Sequence, residues 1–125
     1  MRKPNPRDFL EDILENIQDI EEFIAGLSFE QFAVDKKTVK ATLRSLEVIG
    51  EAVKNVPQDL LDTHPQIPWR SIARMRDKLI HHYFGVDLDV VWESATNGID
   101  PLKSAVVDIL SGLTESKPIK IIFGC

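Results

Sequence analysis

Cysteine is nearly absent from this sequence: the one thiol among 125 residues is Cys125, at the last position. An internal disulfide and a cysteine-rich metal site are therefore excluded, which suits a reducing compartment such as the cytosol. A lone terminal cysteine is also not the four-residue prenylation pattern. No apolar run approaches the ~18 residues that a membrane span requires. The start, MRKPNPRDFLEDIL, is basic only briefly before acidic residues follow, so it does not read as a secretory signal. Glycine-rich phosphate loops, Gly-x-Ser-x-Gly elbows, repeats and low-complexity tracts are all missing. The net charge of −5 argues against indiscriminate binding to nucleic acid. The expectation is one cytoplasmic domain over residues 1–125, without membrane span, metal or cofactor.

What is present is helical periodicity. From Arg7 to about Gly26, the residues Leu10, Ile13, Leu14, Ile17, Ile20, Ile24 and Leu27 form a broad apolar stripe. Asp8, Glu11 and Asp12 sit in the first turn, where negative charge suits the helix dipole. Ser28 to Gln31 resembles a capping box that opens a short turn carrying Phe29 and Phe32, both read as core plugs. A second long helix runs from Asp35 to about Asn55, with Val39, Leu43, Leu46, Ile49 and Val53 on its buried face. Gly50 inside it suggests close helix packing. Glu47 and Glu51 share a face, as metal or acid–base carboxylates or as ordinary partners of solvent and Arg.

Residues 57–68, PQDLLDTHPQIP, contain three prolines and so form a connector rather than a long regular element. His64 precedes Pro65 and belongs outside a helix. His64, His81 and His82 do not have the spacing of a zinc site. A third helix follows at Trp69 to Tyr83, WRSIARMRDKLIHHY, with Pro68 in its first turn. After Gly85, Asp87 caps a last helix through Leu88, Val91, Trp92 and Ala95. Pro101 predicts a kink or break near residues 98–101, and Gly112 is the expected stop. The tail, residues 115–125, has an apolar run and is open between packing on the bundle, packing on a partner, and disorder. Four amphipathic helices with short extra turns predict an all-α, up-and-down four-helix bundle.

Charge is distributed unevenly. Residues 8–22 hold seven acids and no Lys or Arg, whereas residues 36–54 hold five bases against two acids. In the third helix, Arg70, Arg74, Arg76 and Lys78 face only Asp77. One reading is two solvated faces of opposite sign; the other is a basic side that holds a phosphodiester chain. Arg76 lies near the apolar stripe of Ile72, Met75, Leu79 and Ile80, where a guanidinium either snorkels to water or lines a cleft. His81 and His82 close the helix, with Tyr83 beside them. Arg clamps anions and His moves protons near neutral pH.

Arg76, four residues, then His81, His82 and Tyr83 resemble the Arg-x-x-x-x-His-x-Tyr signature of HEPN-domain ribonucleases, in particular the HepT-like toxins. The resemblance covers nearly the whole chain. Leu46 to Ala52, LEVIGEA, is similar to the family's Gly-Glu-Ala segment, and Ile67-Pro68-Trp69 and Met75-Arg76-Asp77 match the approach to the motif. Asn is usual where this chain has Asp77, which adds a carboxylate beside Arg76.

The resemblance implies a homodimer whose two motifs share a cleft and which cleaves RNA without metal. Arg76 and His81 would be catalytic, and Arg70, Arg74, Lys78 and His82 would bind RNA. It also implies a toxin–antitoxin pair in which a minimal nucleotidyltransferase attaches AMP to Tyr83. The alternative is a non-catalytic nucleotide- or substrate-binding partner subunit of such a nucleotidyltransferase; a plain structural bundle is a third reading. His81 and Tyr83 lie about 200° apart on an ideal helix. Either the helix loosens near His82 or Tyr83 stands outside the catalytic cluster.

Overall fold

The structure is a computed structural model that describes residues 5–81 and 87–115, without the side chains of residues 76, 78–81, 114 and 115. Among the described residues every regular element is helical. The order is α1 (Pro6–Ile24), α2 (Phe29–Val34), α3 (Lys36–Lys54), α4 (Gln58–Leu61), α5 (Trp69–His81), α6 (Leu88–Glu93) and α7 (Ile99–Glu115). A π-helical turn, Ser94–Gly98, joins α6 to α7. No described helix is long and apolar enough to cross a membrane. The expected C-terminal tail and the stretch through His82 and Tyr83 lie outside the described residues, apart from the end of α7.

Local chemistry explains where the helices begin. Asn5 accepts from the Asp8 backbone N–H while the Asp8 carboxylate accepts from the Asn5 N–H, a reciprocal box ahead of α1. Ser28 and Gln31 form the same box at α2, as the sequence predicts. Asp35 caps α3 through the Thr38 N–H at 3.1 Å and the Thr38 hydroxyl at 2.7 Å. The hydroxyl first, and then the N–H, hold the Asp35 carboxyl below its ordinary value, because both favour the ionised form. The stabilisation is therefore present above the ordinary aspartate range and is lost as pH falls through the lowered value. Gly26, at φ 76°, takes the left-handed conformation in the turn after α1.

The core forms where the stripes meet. Leu10, Ile13, Ile17 and Ile20 of α1 are fully buried, with Leu46, Ile49 and Val53 of α3. α3 packs between α1 and α5, and α7 packs on α1. The link between α1 and α7 is reinforced by Lys103 Nζ, which donates to both Glu21 oxygens at 3.0 and 3.1 Å. Phe32 is a core plug as expected, and its ring meets Trp92 of α6 at 5.1 Å; Phe29 approaches the same indole edge-on at 6.2 Å. These contacts fasten α2 to α6.

The last helix departs from the sequence reading at its start and at its end. The irregularity expected near residues 98–101 is present as the π turn that ends at Gly98, while Pro101 itself sits in the first turn of α7 and does not interrupt it. Gly112 does not stop α7, which runs on to Glu115 because Leu113, one residue beyond it, packs against the core.

The connector 57–68 contains one short helix, α4, and His64 lies outside any helix. Pro68 is the N-cap of α5 rather than a first-turn residue: its carbonyl accepts from the Ile72 N–H at 3.0 Å. Trp69, only 8% exposed, opens α5 and turns its indole back into the connector. Its Nε1–H donates to the carbonyls of Leu61 at 2.9 Å and His64 at 3.0 Å. Substituting Trp69→Phe keeps the aromatic body but leaves both carbonyls without that donor. Both carbonyls keep a backbone donor, from His64 and Ile67, so the expected cost is about 0.5–1.5 kcal/mol, read as a lower urea midpoint at unchanged slope. An unchanged midpoint would show that the indole hydrogen bonds contribute nothing.

Candidate functional site

α5 is the element on which the candidate residues converge. Ile72, Ala73 and Met75 are half-buried and pack against the core. Arg70 and Arg74, one helical turn apart, are exposed, so α5 carries a basic edge to solvent. Arg76, Lys78 and His81 follow on the same helix; their side chains lie outside the described residues. At 100° per residue, the α5 backbone sets Arg76 and His81 about 140° apart around an ideal helix axis. Asp77 is exposed, and its carboxylate lies 3.7 Å from Lys54 Nζ of α3. The carboxylate beside Arg76 is thus engaged by a cation across the α3–α5 seam.

Beside this edge runs an apolar trough of about 470 Å³. Ser71, Ile72 and Met75 of α5 form one wall, Leu46 and Ile49 of α3 the floor, and Val90, Ser94, Gly98 and Pro101 the far wall. Val90 is 58% exposed, a large apolar group left facing solvent. The far wall has an acidic outer edge, because Asp89 and Glu93 line a shallow depression shared with Val90, Ser94 and Gly98. The trough therefore separates a basic helix edge from an acidic one. A polyanion gains by following α5 and loses by crossing to α6.

The other sequence candidates resolve simply. Glu47 lies 3.8 Å from Arg44 and Glu51 4.0 Å from Lys54, so both carboxylates have cationic neighbours within one helical turn. Among the described residues no group of three or more His, Cys, Asp or Glu side chains could hold a metal ion. His64 sits far along the chain from its partner: Nε2 meets Asp108 Oδ2 of α7 at 2.8 Å. Sequence reasoning missed both this pair and the anchoring role of Trp69. Neither leaves a local signal, since one pairing spans 44 residues and the other depends on the path of the connector.

Fold and site together define an all-α domain with a basic helix edge beside an apolar trough. The family described as ribonuclease HepT-like matches residues 13–109. The chain belongs to this HepT-like ribonuclease family. A protein of Thermococcus cleftensis named "Probable ribonuclease HepT" is 55% identical over 101 residues, covering 81% of this chain and 92% of its own length. A Methanocaldococcus jannaschii protein named as a proposed RNase is 54% identical over 99 residues, covering 79% and 82%. A Caldanaerobacter subterraneus protein, also named as a proposed RNase, is 47% identical over 105 residues, covering 84% and 94%. No solved structure matches.

Proposed function

We propose that the protein is an endoribonuclease that cuts RNA by attack of a ribose 2′-OH on its own 3′-phosphate, and that it serves as the toxin of a toxin–antitoxin pair in the cytoplasm. Family membership carries this reading, and the exposed basic edge of α5 supports it. The reaction needs a base for the 2′-hydroxyl proton, an acid for the departing 5′-oxygen, and a cation for charge on the phosphoryl oxygens. His81 performs one proton transfer, and the same residue of a second copy performs the other. Arg76 supplies the planar fork for the phosphoryl oxygens. Arg70, Arg74, Lys78 and His82 hold the RNA along α5, and the 2′-hydroxyl requirement selects RNA over DNA. Each step draws only on side chains, so cleavage proceeds in EDTA.

A homodimer follows from this division of labour. One chain offers a single His81, whereas an isologous pair offers two. The trough supports the pairing, because α5, which carries the motif, forms one wall of an apolar groove whose opposite wall bears the exposed Val90. His81→Ala is expected to lower cleavage by about 10²–10⁴-fold. Equal cleavage of cellular RNA by wild type and variant contradicts the assignment, as does an active monomer by sedimentation at micromolar concentration.

Control rests on Tyr83. A nucleotidyltransferase antitoxin attaches AMP to its hydroxyl, which brings a phosphodiester charge and a bulky base to the place where RNA docks. Tyr83→Phe is expected to retain cleavage and to escape neutralisation. Intact-mass measurement after incubation with ATP and the antitoxin checks this: wild type gains whole AMP units and the variant gains none. The same mass gain in both would contradict it.

A further inference from the structure

The trough leaves a mechanical problem. α5 packs along α3, but on its other side the trough stands between Ile72 and Met75 of α5 and Ile99 and Leu102 of the last helical segment. Close packing fixes the position of a helix by interlocking side chains; an open trough does not. Packing relates α5 to α7 only at second hand, by way of α3 and α1, so a direct link between them has to come from another segment.

The connector supplies that link through one residue. The His64 ring lies against α7, with Nε2 2.8 Å from Asp108 Oδ2, and its side chain is only 14% exposed. The ring is steadied from the other side by the Thr63 hydroxyl, 2.9 Å from Nδ1, which itself donates to the Leu60 carbonyl at 2.6 Å. The His64 backbone carbonyl accepts the Trp69 indole N–H at the first residue of α5. Side chain to α7 and carbonyl to α5, His64 spans the gap beside the trough.

We infer that His64 is a positioning residue: paired with Asp108, it sets the start of α5 against α7 and, through Trp69, the placement of Arg76 and His81. The consequence for cleavage rests on the proposal that α5 carries the cleaving residues; the tether itself does not. Misplacement of catalytic groups by about 1 Å can cost about 10²-fold in rate, so a modest loosening of α5 is enough to be read in activity.

Asp108→Ala is the discriminating variant. Asp108 is 72% exposed on α7, so its removal opens no cavity and leaves the fold intact. The chain has two tryptophans, so two indole N–H resonances report on the molecule. Asp108→Ala and His64→Ala are each expected to shift the Trp69 indole resonance. They should also speed amide exchange in α5 by about tenfold, with α1 and α3 unchanged. The double variant should add nothing to either single one, and His64→Gln, which can still donate to Asp108, should restore the wild-type pattern. In RNA cleavage, kcat should fall by about tenfold with KM held. An Asp108→Ala variant with wild-type indole resonance and α5 exchange overturns the inference, and so does loosening spread evenly over α1, α3 and α5. If the wild type cleaves no RNA while the coupled shifts in α5 are present, the tether stands and the ribonuclease proposal fails.

Discussion

Trp69 places one indole N–H between the carbonyls of Leu61 and His64, and the geometry of α5 follows from that contact. The connector before it has prolines at 57, 65 and 68 and cannot satisfy its carbonyls through a regular helix. The Leu61 and His64 carbonyls already accept the backbone N–H groups of His64 and Ile67, and the indole adds a second donor that ties both to the first residue of the helix. Everything proposed for the site is counted from that residue. Arg70 and Arg74 reach solvent because Ile72 and Met75 turn inward, and that orientation is set where α5 begins.

Charge then decides how a protein of net charge −5 can engage a polyanion. The acids of α1 sit on a separate helix, where Glu21 is bound to Lys103 and Glu11 lies 3.6 Å from Arg7. On the site side, the basic edge of α5 faces the acidic edge formed by Asp89 and Glu93 across the trough. Lys54 of α3 approaches Asp77 and so offsets the carboxylate that this chain carries next to Arg76. Exposed bases are carried by α5, at Arg70 and Arg74, and also by α3, at Lys36, Lys37, Lys40 and Arg44, so favourable contact for a polyanion is available on two neighbouring helices.

Much of the fold was legible because it is local. The α1 stripe repeats with the helical period, and the buried residues Leu10, Ile13, Ile17 and Ile20 are the ones that the period selects. The Ser28–Gln31 box needs only four residues, so it is visible in the sequence and present in the structure. Gly112 does not end the helix as its residue type suggests, because a glycine's preference to end a helix is weaker than the packing of Leu113 just beyond it. Pro101 announced a distortion but not its form, since whether a helix breaks or takes up a π turn depends on what the next turns pack against. At the site, the spacing of Arg76 and His81 is visible in the sequence, whereas the trough, the acidic opposing edge and the His64–Asp108 pair arise only when distant segments meet.

The central claim is that the 2′-hydroxyl of the RNA is the nucleophile. It is tested most directly with a short RNA whose cleavage position is known, compared with the same strand carrying a single 2′-deoxy nucleotide on the 5′ side of the scissile phosphate. The assay uses purified protein in EDTA and mass analysis of the fragment ends. The account predicts a 2′,3′-cyclic phosphate on the all-ribose product and no cleavage at the deoxy position. Cleavage at the deoxy position, or a free 3′-hydroxyl with a 5′-phosphate, would contradict it.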